Sequence, residues 1–187
     1  MSETTIQLPT LHPKQRGAFF NDARYSICEA STKAGKTAGC IAWIMSEAMT
    51  KGQPNRSWWW VAPTYGVAKI AYRRIVNMLL RADPDKTLWD HNASEPYIRF
   101  KFNGAMIWFK GADNFDTLYG EDVFGAVIDE STRCSENAWH AVRSTLTATR
   151  GPVRIIGNVR GRKNWAYRLG QQARSGDPDM CYSKLTE

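Results

Sequence analysis

The sequence predicts an α/β fold: a mostly parallel sheet covered by helices on both faces, with an antiparallel hairpin added. Three observations predict it. Short apolar runs alternate along the chain with segments of helical period. The apolar runs are hydrophobic almost without interruption, as strands buried on both faces must be. One pair of alternating runs is joined by Asn103-Gly104, the strongest short-range hairpin signal, because both central turn positions need positive φ.

Taken in order, Arg24–Glu29 reads as a short strand, and Thr37–Met49 follows with Ile41, Ile44, Met45, Ala48 and Met49 at helical spacing. Gly52-Gln-Pro-Asn55 breaks the chain before a second strand, Ser57–Ala62, which holds Trp58, Trp59 and Trp60 and stops at Pro63. A second amphipathic helix spans Val67–Arg81, with Val67, Ile70, Ala71, Ile75, Met78 and Leu79 on one side. Beyond Asp83-Pro84-Asp85 the hairpin pairs Tyr97–Phe102 with Ala105–Phe109, placing Ile98, Phe100 and Phe102 on a common face. Phe124–Asp129 is a further strand, Ser135–Thr147 a helix capped by Ser135, Val153–Gly157 a strand and Asn164–Arg174 the last helix.

Composition bounds the rest. With 187 residues the chain is long enough to bury one core, and 43% hydrophobic content with eight tryptophans excludes a disordered or fibrous class. The uncharged run Thr37–Ser46 is far short of the roughly 20 residues a membrane helix needs, and the N-terminus lacks a signal-peptide layout. No membrane partner is expected. Cys28, Cys40, Cys134 and Cys181 are too scattered for a zinc site or a disulfide framework and read as reduced thiols. Net charge is +7, yet residues 141–176 hold eight bases and no acid. The basic excess therefore lies in one segment, as expected for a surface that meets polyphosphate or nucleic acid.

Two motifs carry chemistry. Ala30-Ser31-Thr32-Lys33-Ala34-Gly35-Lys36-Thr37 is a phosphate-binding loop with Ala in place of the first Gly, set between a strand and an amphipathic helix. Its backbone N–H groups would wrap a β-phosphate at the helix N-terminus, Lys36 would bridge the β- and γ-phosphates, and the Thr37 hydroxyl would ligate Mg²⁺. Lys33 adds charge within the loop. An apolar strand ending in Asp129-Glu130 supplies the partner: Asp129 to hold the metal, Glu130 to polarise a water for in-line attack. These residues are the pattern expected of a P-loop NTPase. No Asn-Lys-x-Asp base-reading motif is present, which argues against GTP. Gln15, fifteen residues before the loop, could bond adenine N6 and N7 and so favour ATP. Asn158, after the strand Val153–Gly157, could sense the γ-phosphate and transmit its loss.

Together these motifs resemble the ATPase, or motor, domain of the large terminase subunit of tailed bacteriophages. Pro13-Lys14-Gln15 resembles the family's adenine motif, Ala30–Thr37 its Walker A loop, and Val61-Ala62-Pro63-Thr64-Tyr65 the segment after the second strand. Leu118-Tyr119-Gly120 resembles the element before Walker B, Val127–Glu130 Walker B itself, and Gly157-Asn158 the coupling motif. The resemblance implies an ASCE or RecA-like P-loop sheet and ATP hydrolysis that drives double-stranded DNA into a procapsid. It also implies a homo-oligomeric ring docked on the portal protein, cooperation with the small terminase subunit, and residence in the host cytoplasm.

The sequence departs from the family in two places. Many relatives carry an Arg where Tyr119 stands, able to act as a finger on a neighbour's ATP, so that role would pass to Arg133, Arg143 or Arg150. The family's RNase H-like nuclease needs clustered acids, and after Asn158 only Asp177, Asp179 and Glu187 remain. The expectation is one ATPase domain over residues 1–187 without nuclease activity. Within the basic segment Arg160, Arg162 and Lys163 are the candidate contacts to DNA or a neighbouring subunit. Two other readings stay open: a helicase-like or repair ATPase, which would need a second RecA-like domain, and a nucleotide-gated DNA-binding or assembly module with little turnover alone.

Overall fold

The computed structural model describes residues 5–31, 33–158 and 161–185. Eight strands form one sheet in the order β3-β4-β5-β2-β6-β7-β1-β8, where β1 is Tyr25–Ala30, β2 Ser57–Ala62, β3 Trp89–Asn92, β4 Tyr97–Phe100, β5 Met106–Gly111, β6 Val123–Ile128, β7 Val153–Gly157 and β8 Met180–Leu185. The six strands from β5 to β8 pair in parallel, while β3 with β4 and β4 with β5 are antiparallel. The fold class is as expected, and β7 lies between β1 and β6, as an ASCE sheet requires.

Helices cover both faces. Helices α1 (Pro13–Phe19), α2 (Lys36–Lys51) and α3 (Tyr65–Ala82) pack on one side against Cys28, Ala30, Trp58, Trp60 and Val127. On the other side α4 (Glu136–Thr145) and α5 (Trp165–Arg174) pack against Tyr25, Ile27, Trp59, Val61 and Ile155. Alternation along β2 explains this division: Trp58 and Trp60 point to one core, Trp59 to the other, and all three are fully buried. Ser135 and Asn164 cap α4 and α5 with their side chains.

Three expectations need correction. The hairpin turn is wider than a two-residue Asn-Gly loop: Tyr97 pairs with Trp108 and Arg99 with Met106, the Phe100 N–H donates to the Ala105 carbonyl, and of the two turn residues only Gly104 has positive φ. Phe102 consequently sits in the turn, half exposed, and not on the buried face with Ile98 and Phe100. The edge strands β3 and β8 carry no clear alternation and add to the strands the sequence predicts. Ile70 belongs to no core either, being 48% exposed on α3. Among the described residues no helix is long and apolar enough to cross a membrane.

Candidate nucleotide site

The loop between β1 and α2 opens at the C-terminal edge of the sheet. Ala30 is buried, and the Ser31 N–H donates to the Leu185 carbonyl at 3.1 Å, tying the start of the loop to β8. Ala34 closes back on the Ser31 carbonyl at 3.3 Å, and Lys33 and Gly35 both take left-handed backbone, φ 74° and 76°. Thr32 lies outside the described residues. Among the described residues the N-cap Gly35 of α2 makes no side-chain cap bond and no acid stands in the first turn, so the positive end of the helix faces the loop.

Gln15 reaches this loop from α1. Its Nε2 donates to the Ala34 carbonyl at 3.1 Å, and its Oε1 accepts from the His12 N–H at 3.1 Å, closing the capping box of α1. Gly35 holds φ 76°, and a β-carbon there would stand 2.1 Å from that Nε2, so a side chain at this position would be strained and would displace the Gln15 amide. The amide expected to read adenine is thus engaged at both ends within the chain, and here it braces the loop.

Asp129 and Glu130 follow β6 directly. Asp129 is buried; its N–H donates to the Val61 carbonyl at 2.8 Å, and its Oδ1 accepts the Glu130 N–H at 2.9 Å. Burial pushes the Asp129 carboxyl up to about 6, with the Glu130 N–H working against that rise. Glu130 has left-handed backbone, φ 47°, and its Oε2 pairs with Arg133 Nη1 at 2.5 Å. A cleft of about 480 Å³ is lined by Lys33, Gly35, Lys36, Thr37, Asp129 and Glu130 on the sheet side and by Val67, Ile70 and Arg74 of α3 on the other.

The sheet order completes the site. Because β7 runs between β1 and β6, its C-terminal end delivers Asn158 between the loop and the Glu130 turn. Lys36 Nζ donates to Asn158 Oδ1 at 2.8 Å and to the Ser31 carbonyl at 3.4 Å. Asn158 also lines a polar cavity of about 420 Å³ with Glu130, Thr132 and Arg133. The Thr37 hydroxyl and Asp129 carboxylate are the hard oxygen donors that Mg²⁺ takes, and they share the cleft with Lys36, so the residues fit that ion.

Other expected residues fall elsewhere. Arg133, half exposed, pairs with Glu130 of its own chain. Arg143 is exposed on α4, and Arg150 lines a cavity with Arg24 and Asp179 at the opposite edge of the sheet. Arg162 and Lys163 are exposed just before α5, and Arg160 lies outside the described residues. The basic segment is not one surface: Arg154 is buried, donating to the Phe19, Asn21 and Ala23 carbonyls, and Arg168 pairs with Glu136 at 2.6 Å. Arg74 and Ile70 join the cleft without having been singled out by any motif. Arg74 carried a signal, a cation beside the apolar side of a predicted helix.

No protein-family model and no curated protein matches the sequence. Comparison with solved structures does find matches. The fold is that of phage large terminase ATPase domains. It superposes on the large terminase ATPase domain of Thermus phage P74-26 with a TM-score of 0.80 at 19% identity, over 94% of this chain and 80% of that one. Against the HK97 bacteriophage large terminase the TM-score is 0.81 at 15% identity, over 94% of this chain and 39% of the other. The large terminase of a thermophilic bacteriophage, in complex with ATP-gamma-S, gives 0.71 at 17%, over 93% and 44%. The chain thus spans most of an isolated terminase ATPase domain and less than half of these longer large terminases.

Proposed function

We propose that this chain is an Mg²⁺-dependent ATPase that powers double-stranded DNA translocation in phage genome packaging. The observation that carries the reading is the convergence of Lys36, Thr37, Asp129, Glu130 and Asn158 from three adjacent strand ends on one sheet edge. The α2 N-terminus and Lys36 would hold the β- and γ-phosphates. Thr37 and Asp129 would hold Mg²⁺, which when bound neutralises phosphate charge. Glu130 would orient the attacking water, and the Lys36–Asn158 bond gives β7 a direct link to the phosphate-binding lysine. Likeness to a terminase solved with ATP-gamma-S supports the nucleotide.

The partners proposed are duplex DNA, further copies of the chain in a ring, the portal protein and the small terminase subunit, in the host cytoplasm. The domain proposed is a single ATPase motor. The Glu130–Arg133 ion pair favours a second reading as well, a nucleotide-gated DNA-binding or assembly module with little turnover until a neighbour supplies an arginine. A trans-acting arginine is typically worth about 10³ to 10⁵ in rate.

The motor reading is tested on duplex DNA. Binding should weaken with added salt, ATP turnover should rise when DNA is present, and the double change Arg162→Ala with Lys163→Ala should lower the affinity and flatten the salt dependence. DNA affinity that ignores both salt and the double change would remove DNA from these residues.

A further inference from the structure

We infer that Asn164 and Trp165 form a latch that fixes the Glu130 turn to the start of α5, making Asn164 a positioning residue for the general base. The turn is the short 3₁₀ segment Ser131–Arg133. It sits tightly on β7, since a β-carbon on Gly157 would meet Ser131 Oγ at 2.7 Å. Asn164 Nδ2 donates to the Thr132 carbonyl at 3.0 Å, and Trp165 Nε1 donates to the Cys134 carbonyl at 2.9 Å. Both acceptors lie within four residues of Glu130, which itself holds left-handed backbone that only its surroundings can maintain.

The Trp165 bond is buried, and its indole stacks on Trp139 of α4 at 5.7 Å with an interplanar angle of 7°. Arg168, one turn along α5, pairs with Glu136 at the start of α4. The turn, α4 and α5 are thus bound as one block behind Glu130. Downstream, β8 pairs with β1, and Leu185 accepts the N–H of Ser31 in the phosphate loop. A displacement of α5 would therefore be felt at both the loop and the base. This role of Asn164 rests on the proposed hydrolysis at Glu130.

Asn164 allows a clean test because its two amide atoms do different work. Oδ1 caps α5 by accepting from the Ala166 N–H at 2.9 Å, and Nδ2 makes the latch. Asn164→Asp keeps the cap, a good N-cap residue with charge suited to the helix dipole, and removes the latch donor. Trp165→Phe keeps an aromatic ring against Trp139 and removes the indole donor.

The experiment pairs amide hydrogen exchange with ATP kinetics on the full chain, for the unaltered protein and both variants. The Arg133 and Cys134 amides, bonded to Glu130 and Ser131 carbonyls, are expected to exchange faster in each variant while α5 stays protected. In the same samples kcat is expected to fall on the order of 10- to 100-fold with KM for ATP unchanged. Unchanged exchange in both variants overturns the latch, and faster exchange with unaltered kcat overturns the positioning role. If the unaltered protein hydrolyses no ATP but exchange responds as stated, the latch stands and the hydrolytic reading fails.

Discussion

Gln15 is placed by three local demands: its Oε1 completes the α1 capping box, its Nε2 braces Ala34, and the left-handed Gly35 leaves it room. Residue identity alone indicated a glutamine near a nucleotide, because an amide can pair with adenine. What could not be read was that both halves of the amide are engaged inside the chain. Gln15→Ala is therefore expected to loosen the loop and weaken ATP and GTP by similar factors, within about tenfold, the scale of one lost hydrogen bond. Parallel titrations of the two nucleotides check this; a loss confined to ATP would restore base reading to Gln15. Arg133 teaches the same lesson. Its residue type alone suits an arginine finger, and the fold adds a carboxylate partner three residues away, in an ion pair that is partly exposed to solvent.

Elements with a strong period were legible, and those at the sheet margin were not. Helices α2 and α3 extend one or two residues beyond the segments read from sequence at each end, and their spacing is plain because each buries one broad stripe. Strands β3 and β8 have one neighbour each, so half of each stays at the surface and no alternation is imposed. The hairpin register moved because Phe102 gains no burial at the end of β4, and the turn takes four residues in place of two.

At the same margin, His91 of β3 gives a measurable pH dependence. Its Nδ1 faces Tyr72 Oη at 2.5 Å and its Nε2 faces Lys86 Nζ at 3.1 Å, while Asp90 lies next to it in sequence and pairs with Arg99. Burial first, and the Lys86 charge second, hold the imidazole below its ordinary range, against a smaller pull from Asp90. The folded state thus resists a proton that the unfolded chain accepts. Stability from this group should be complete above about pH 6.5 and fall as pH drops below it. Urea unfolding between about pH 7.5 and 5.5 should show a smaller decline in His91→Gln than in the unaltered protein; equal slopes would exclude His91 as the source.

Over the whole molecule, sheet topology builds the site from residues far apart in sequence. Lys36 and Asn158 are 122 positions apart and joined by one hydrogen bond, because β7 is inserted between the strand of the phosphate loop and that of Asp129. Motif spacing made each residue a candidate; only strand order brings them together. Net charge was the less faithful guide. Among the described residues of that basic run, Arg154 is buried, Arg168 and Arg174 are ion-paired, and Arg143, Arg150, Arg162 and Lys163 are exposed.

The central claim, that Glu130 activates water beside a nucleotide held by Lys36, is tested most directly by measuring ATP binding and steady-state turnover in Glu130→Gln, with Lys36→Ala as the binding-deficient comparison. The account predicts that Glu130→Gln binds Mg²⁺·ATP as tightly as the unaltered protein and loses turnover by at least about 100-fold, while Lys36→Ala binds little. Turnover in Glu130→Gln equal to that of the unaltered protein would contradict it.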